Sequence, residues 1–221
     1  MTNSNLIDFI GGKEVKRIYL FDTDTTLVIE KTGFYTVICQ GAGASGGARN
    51  YSTQQSLNYS GGAGELKSDI LYLTKGTSIP ITIGVGGASV SVAASSNAII
   101  DRGNSGSPSS FGSYLTANGG NELFTGGTVS QSVTSISPLP YLFFPPTSIG
   151  TPSVYGKHGQ QSIFSIGGGE AIGGVSTAGS GSGYGSGGGT ACTVGAVPAI
   201  SGAGANGIII VGALIWKNTH K

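Results

Sequence analysis

The sequence predicts an all-β protein, a β-sandwich with glycine-rich insertions and almost no helix. Three observations carry this. Apolar and polar residues alternate at period two in several short runs rich in β-branched and aromatic side chains. No stretch of useful length shows an amphipathic 3.6-residue period. Glycine supplies 41 of the 221 residues, more than twice its usual share of about 7%, and it gathers in tracts between the runs.

The strands follow in order. Residues 15–21 form the first run. Residues 25–31 form the second, after a turn at Asp22, Thr23 and Asp24. Gly33 opens residues 34–40, where Tyr35, Val37 and Cys39 alternate with Phe34, Thr36 and Ile38. Both sets are fairly apolar, which predicts a central strand. Residues 65–73 read as a strand and 74–77 as a turn. Ile79, Ile81, Ile83 and Val85 alternate with Pro80, Thr82 and Gly84. That run reads as half-buried, and Pro80, which cannot donate a hydrogen bond, favours a sheet edge. Residues 98–100 and 110–117 are short strand candidates. Residues 208–216 close the domain with a run buried on both faces.

The glycine tracts follow no strict Gly-X-Y period, which excludes collagen. Hydrophobic residues at 38% and a mean hydropathy of +0.15 argue against global disorder. Residues 167–207 still hold 16 glycines, and ordering each costs roughly 0.5–1 kcal/mol more than ordering alanine in a regular element. The tracts are therefore either loose loops or extended helices of three residues per turn that approach closely enough to hydrogen-bond one another. Residues 1–32 read as N-terminal strands with an attachment segment and 33–221 as the glycine-rich sandwich, or the two as one continuous domain.

Charged residues are only 10% of the chain, with a formal net charge of +1. The basic patch that nucleic-acid binding needs is missing. So few charges also predict that oligomer contacts or a binding face cover much of the surface. Residues 1–8 lack the basic region and apolar run of a signal peptide. The longest apolar run, 208–216, falls short of the ~20 residues that span a bilayer. The expectation is a soluble protein made in a cytoplasm. Cys39 and Cys192 could form one disulfide, but their apolar or glycine-rich surroundings favour two small buried residues.

Motifs for chemistry are weak. Residues 41–46, GAGASG, satisfy the dinucleotide-binding pattern after a strand, but no helical pattern follows. The pattern recurs at 202–207 ahead of a strand. No Gly-Lys-Ser/Thr triplet occurs. His158 and His220 are the two histidines, at no zinc-ligand spacing. Asp22 and Asp24 sit in a turn, where they cap backbone amides. No enzyme activity, cofactor or metal is expected.

Recognition is the better-supported reading. Residues 137–146, SPLPYLFFPP, carry Tyr141, Phe143 and Phe144 on a segment stiffened by four prolines. Such a segment loses little entropy on docking, and aromatics dominate contact energies. It is either a recognition tip or fibre contact, or it is buried as core or between subunits. Tyr155, Lys157 and His158 follow closely and add amphipathic and polar groups. Tyr51, Tyr59 and Tyr184 lie within glycine-rich stretches and complete the candidate binding residues.

An ordered set of segments carries a family resemblance: FYTVICQGAG at 34–43, GGAGE at 61–65, LTKGT at 73–77 and ITIGVGG at 81–87, then SSFG at 109–112, ANGG at 117–120 and GAGANGIII at 202–210. Together they resemble the glycine-rich domains of phage tail-fibre proteins, over roughly residues 33–216. The resemblance implies a jelly-roll-like β-sandwich whose glycine-rich insertions pack as polyglycine-II helices. It also implies a receptor-binding protein in the virion tail, a bacterial outer-membrane protein or glycan as receptor, and other tail-fibre or virion proteins as partners. A homo-oligomer is expected, with a trimer as in most fibres. By position between glycine tracts, the recognition loops would be 49–59, 90–104, 122–158 and 171–184. A structural virion subunit without receptor contact is the alternative.

Overall fold

A computed structural model describes residues 13–51, 59–100, 102–122, 158–174 and 176–216. Among these residues the structure is all-β, with no helix and thus none long and apolar enough to cross a membrane. β1 (Lys13–Phe21), β3 (Gly33–Gln40), β5 (Leu66–Leu73) and β14 (Ile208–Trp216) form an antiparallel sheet in the order β1-β14-β3-β5, here sheet I. β2 (Thr25–Val28), β6 (Ser78–Thr82), β9 (Ser109–Phe111) and β10 (Leu115–Ala117) form a second, in the order β10-β9-β6-β2, here sheet II.

The two sheets make a β-sandwich. From sheet I, Tyr35, Val37, Cys39, Leu73, Ile209 and Val211 turn inward. Leu27, Ile79, Ile81, Phe111 and Ala117 meet them from sheet II. Period-two alternation is what puts these side chains on one face of each strand. The neutral thiol of Cys39 belongs to this core. It donates to the Ser109 carbonyl at 3.2 Å, and burial pushes its pKa up to about 12.

From one end of the sandwich the chain runs outward and back several times. It leaves from β3, β6 and β10, and it returns into β5, β9 and β14. These excursions are the glycine tracts, and they are ordered by their own backbones. Gly41, Ala44 and Gly47 donate N–H bonds to Glu65, Gly62 and Tyr59. Ala42 and Ser45 donate to Ser107 and Asn104, while Gly43 and Gly46 donate to Ala205 and Gly202, all at 2.8–3.2 Å. Every third residue therefore points at the same neighbour, and each neighbour runs antiparallel. Carbonyls of Ala42, Gly43 and Ala44 accept from Gly120, Gly87 and Gly188. Segment 41–47 thus has six neighbouring segments.

The pattern continues outward. Ser201, Gly204 and Gly207 donate to Val90, Gly87 and Gly84 at 2.8–2.9 Å, and Gly202 and Ala205 to Gly189 and Ser186. Three residues per turn with hydrogen bonds in three directions is the polyglycine-II arrangement, the glycine counterpart of polyproline II. Glycine is required by close approach. A Cβ at Gly43 would lie inside contact with the Ser186 carbonyl, and one at Gly204 would meet the Gly43 carbonyl.

At the far end four short strands form a mixed sheet, in the order β11-β12-β4-β8: β4 (Ala48–Tyr51), β8 (Ile99–Ile100), β11 (Ala171–Gly173) and β12 (Ala191–Val194). β7 (Ser91–Val92) pairs with β13 (Ala199–Ile200) beside it. A second small core of Ala48, Val92, Ala171, Ala178, Ala191 and Ala199 packs there.

Several expectations change. β6 lies inside its sheet, between β9 and β2, although it carries Pro80. The β9 ladder starts only at Ile81, and the Pro80 carbonyl accepts from Gly112, where β9 turns away. The missing N–H falls where no strand partner remains. Ile83 and Val85 continue the alternation of β6 but already belong to a glycine excursion. Residues 110–117 are not one strand but a hairpin, turned at Gly112 with a φ of +52°. The strand expected at 25–31 ends at Val28. β3 is central, and β1 and β2 supply one strand to each sheet. Cys39 and Cys192 are both buried and form no disulfide.

Candidate functional site

The far end of the glycine bundle is where the excursions reverse, and it is the candidate site. Its floor is the β11-β12-β4-β8 sheet. Parallel pairing of β12 with both β4 and β11 sets Ile172, Cys192, Arg49 and Ile99 in one row across one face. Ala171, Ala191 and Ala48 occupy the preceding row on the other face, towards the small core.

Asn50 fixes this end. It is fully buried. Its Nδ2 donates to Thr193 Oγ1 at 3.0 Å, to the Gly195 carbonyl at 3.1 Å and to the Val197 carbonyl at 2.7 Å. The Thr193 hydroxyl donates to the same Val197 carbonyl at 2.7 Å. One amide therefore ties β4 to the turn after β12. That turn in turn holds the one between β7 and β8, because the Ser95 N–H donates to the Gly195 carbonyl at 2.6 Å. Ser95 and Asn97 hold left-handed φ values of 54° and 48°. Such values cost energy for residues other than glycine, so the surroundings must impose this turn shape.

Arg49 and Tyr51 stand one turn of the pleat apart on the same face. The guanidinium lies 4.0 Å from the Tyr51 ring centroid, and Nη2 donates to the Tyr51 hydroxyl at 2.7 Å. The pair presents a half-buried planar cation against an aromatic ring. Ile99 on the edge strand β8 is exposed beside it. Lower on the bundle, the Ser105 hydroxyl donates to Glu122 Oε2 and holds that carboxyl below the usual carboxylate range, with a smaller contribution from Arg102.

The expected binding residues divide. Tyr51 and Tyr59 lie at the far end, where the Tyr59 carbonyl accepts from Gly47. His158 is exposed on the excursion beside Gly169. Tyr184 lies at the opposite end, next to the sandwich. Its carbonyl accepts from the hydroxyls of Ser162 and Ser165, and its neighbour Gly185 bonds to Gly64 and Asn206. Tyr141, Phe143, Phe144, Tyr155 and Lys157 fall outside the described residues.

Arg49, Asn50, Thr193 and the 195–197 turn were not singled out from sequence. The available signal was the β-branched pair Thr193-Val194 after Cys192, between two glycine tracts. The seven amides of residues 41–47, the dinucleotide-like pattern and its next residue, all donate to protein carbonyls. None is left to hold a pyrophosphate. Asp24 does bind a backbone amide, accepting from Ile83 at 2.7 Å. Among the described residues no three His, Cys, Asp or Glu side chains converge.

Comparison with known proteins gives one family. The model of the glycine-rich domain matches residues 22–137, more than half of the chain. No curated protein matches the sequence. The matched span begins at the turn before β2 and takes in the central polyglycine-II segment with its neighbours at 59–65, 84–90, 102–107 and 117–120. The chain belongs to the glycine-rich domain family.

Proposed function

We propose that the protein is a non-enzymatic receptor-binding component of a phage tail, carried in the virion and binding the bacterial surface through the loops at the far end of its glycine bundle. The observation that carries this reading is the bundle itself. Its backbone hydrogen bonds in three directions give a stiff frame without a large core, and it gathers successive loops at one end. Loops on a rigid scaffold are the common way to build a variable binding surface. The resemblance of its ordered segments to the glycine-rich domains of tail-fibre proteins supports it further. The receptor would be an outer-membrane protein or a surface glycan, with Arg49, Tyr51, Tyr59 and the aromatic segment at 137–146 as contacts.

The test is binding of the fluorescently labelled protein to a panel of bacterial strains, with competition against phage adsorption. Binding to a subset of strains, redirected when residues 123–157 are exchanged, is the expected result. No strain bound and no adsorption blocked would overturn the reading. The low charge of the chain, 10% of its residues, favours a second reading, a structural virion subunit without receptor contact. That reading expects the protein in purified virions with no cell binding of its own.

A further inference from the structure

The two outer faces of the sandwich differ in kind. Sheet II shows Thr26, Val28, Ser78, Pro80, Thr82, Ser110 and Thr116 to solvent, the polar outer face expected of an antiparallel sheet. Sheet I is the reverse. One row across it is Leu20, Ile210, Ile38 and Ser68, and the next is Ile18, Gly212, Thr36 and Ile70. Phe34 and Tyr72 pack edge to face beyond them, with ring centroids 5.1 Å apart. Tyr72 is 62% exposed and Leu20 56%. No described side chain on this face is charged.

We propose that the outer face of sheet I is a docking surface for a second copy of this chain, which packs its own sheet I against it about a two-fold axis. The described side chains in these rows offer a charged partner nothing to pair with. An identical pleated apolar sheet is the partner whose shape and chemistry match, as the two sheets already match within the sandwich. The size is sufficient. Four strands of about eight residues span roughly 27 Å by 19 Å, or about 500 Å². Two such faces together reach the ~1,000 Å² that a specific interface needs. One self-complementary patch closes at two copies, whereas a three-fold ring needs two different patches. This inference stands apart from the receptor reading and survives if no receptor is found.

The test is mass by sedimentation equilibrium of the full chain. The expected mass is twice the 22.0 kDa of one chain. The double variant Leu20→Glu/Tyr72→Glu should run as one chain with an unchanged far-ultraviolet spectrum, because both side chains already face solvent. Val28→Glu, which replaces a residue 55% exposed on the polar face, should leave the pair intact. A wild-type mass of one chain would overturn the proposal, and so would a mass of three. A pair that persists in the double variant would overturn it too.

Discussion

Replacing Gly43 with alanine tests the glycine bundle at its centre. Gly43 lies in the segment with six neighbours, and its new Cβ would fall inside contact with the Ser186 carbonyl. The obstacle is backbone, already bonded on both sides, so it cannot rotate away like a side-chain end. Overpacking a well-packed interior costs about 1–3 kcal/mol. Two hydrogen bonds lie in the path of the displacement, Gly43 to Ala205 and Gly87 to Gly43, both at 2.8–2.9 Å. Each is worth about 1 kcal/mol net, so with the overpacking a loss of about 3–5 kcal/mol is expected. For a chain of this size that lowers the melting temperature by roughly 6–20 °C. The control is Gly33→Ala, where a Cβ meets nothing within 4 Å and φ is not left-handed. It should change little, or stabilise by up to about 1 kcal/mol through the unfolded chain. Thermal unfolding followed by circular dichroism reads both. If Gly43→Ala melts with Gly33→Ala, the close-approach argument is wrong.

Further expectations concern buried polar groups. Asn50→Ala removes three hydrogen bonds that tie β4 to the turn after β12, although Ser95 and Thr193 still donate to the Gly195 and Val197 carbonyls, so urea unfolding should show a loss of about 2–3 kcal/mol. The Cys39 thiol, with its pKa near 12, should resist alkylation at pH 8 until denaturant is added. Its folded pKa lies above its unfolded one, so its contribution to stability is intact below about pH 9 and falls between there and pH 12. The decline across pH 9–11 should be shallower in Cys39→Ala than in wild type, and equal slopes would refute the linkage. Arg49→Ala removes the cation above Tyr51; labelled protein should bind receptive cells more weakly while its melting temperature stays within a few degrees.

Much of the sandwich was legible because its strands are half-buried and alternate. β3 and β14 read clearly for that reason, their inward residues forming the core. The end of β6 did not, since Ile83 and Val85 keep the alternation after the ladder stops at Thr82. Pro80 misled about the edge because the rule concerns one missing N–H, and here that N–H would point past the end of β9. The hairpin within 110–117 hid in a single glycine. The bundle was legible only as two alternatives. Its order comes from backbone groups common to every residue, and its glycines fall where a neighbouring carbonyl approaches, at no fixed interval along the chain. The candidate site was half-legible: Tyr51 and Tyr59 reach the far end, but Tyr184 does not, because the chain from 171 to 184 turns back towards the sandwich. Asn50 and Thr193 meet across 143 positions of sequence, and no local pattern marks such a pair.

Amide hydrogen exchange resolved to single residues tests the ordered bundle most directly. The amides of residues 41–47, of 61, 62, 64 and 65, and of 201, 202, 204, 205 and 207 should exchange as slowly as those of β3 and β14, because each donates to a backbone carbonyl of a neighbouring segment. Exchange of these glycine tracts at the rate of an unstructured chain would contradict the frame on which the proposed function rests.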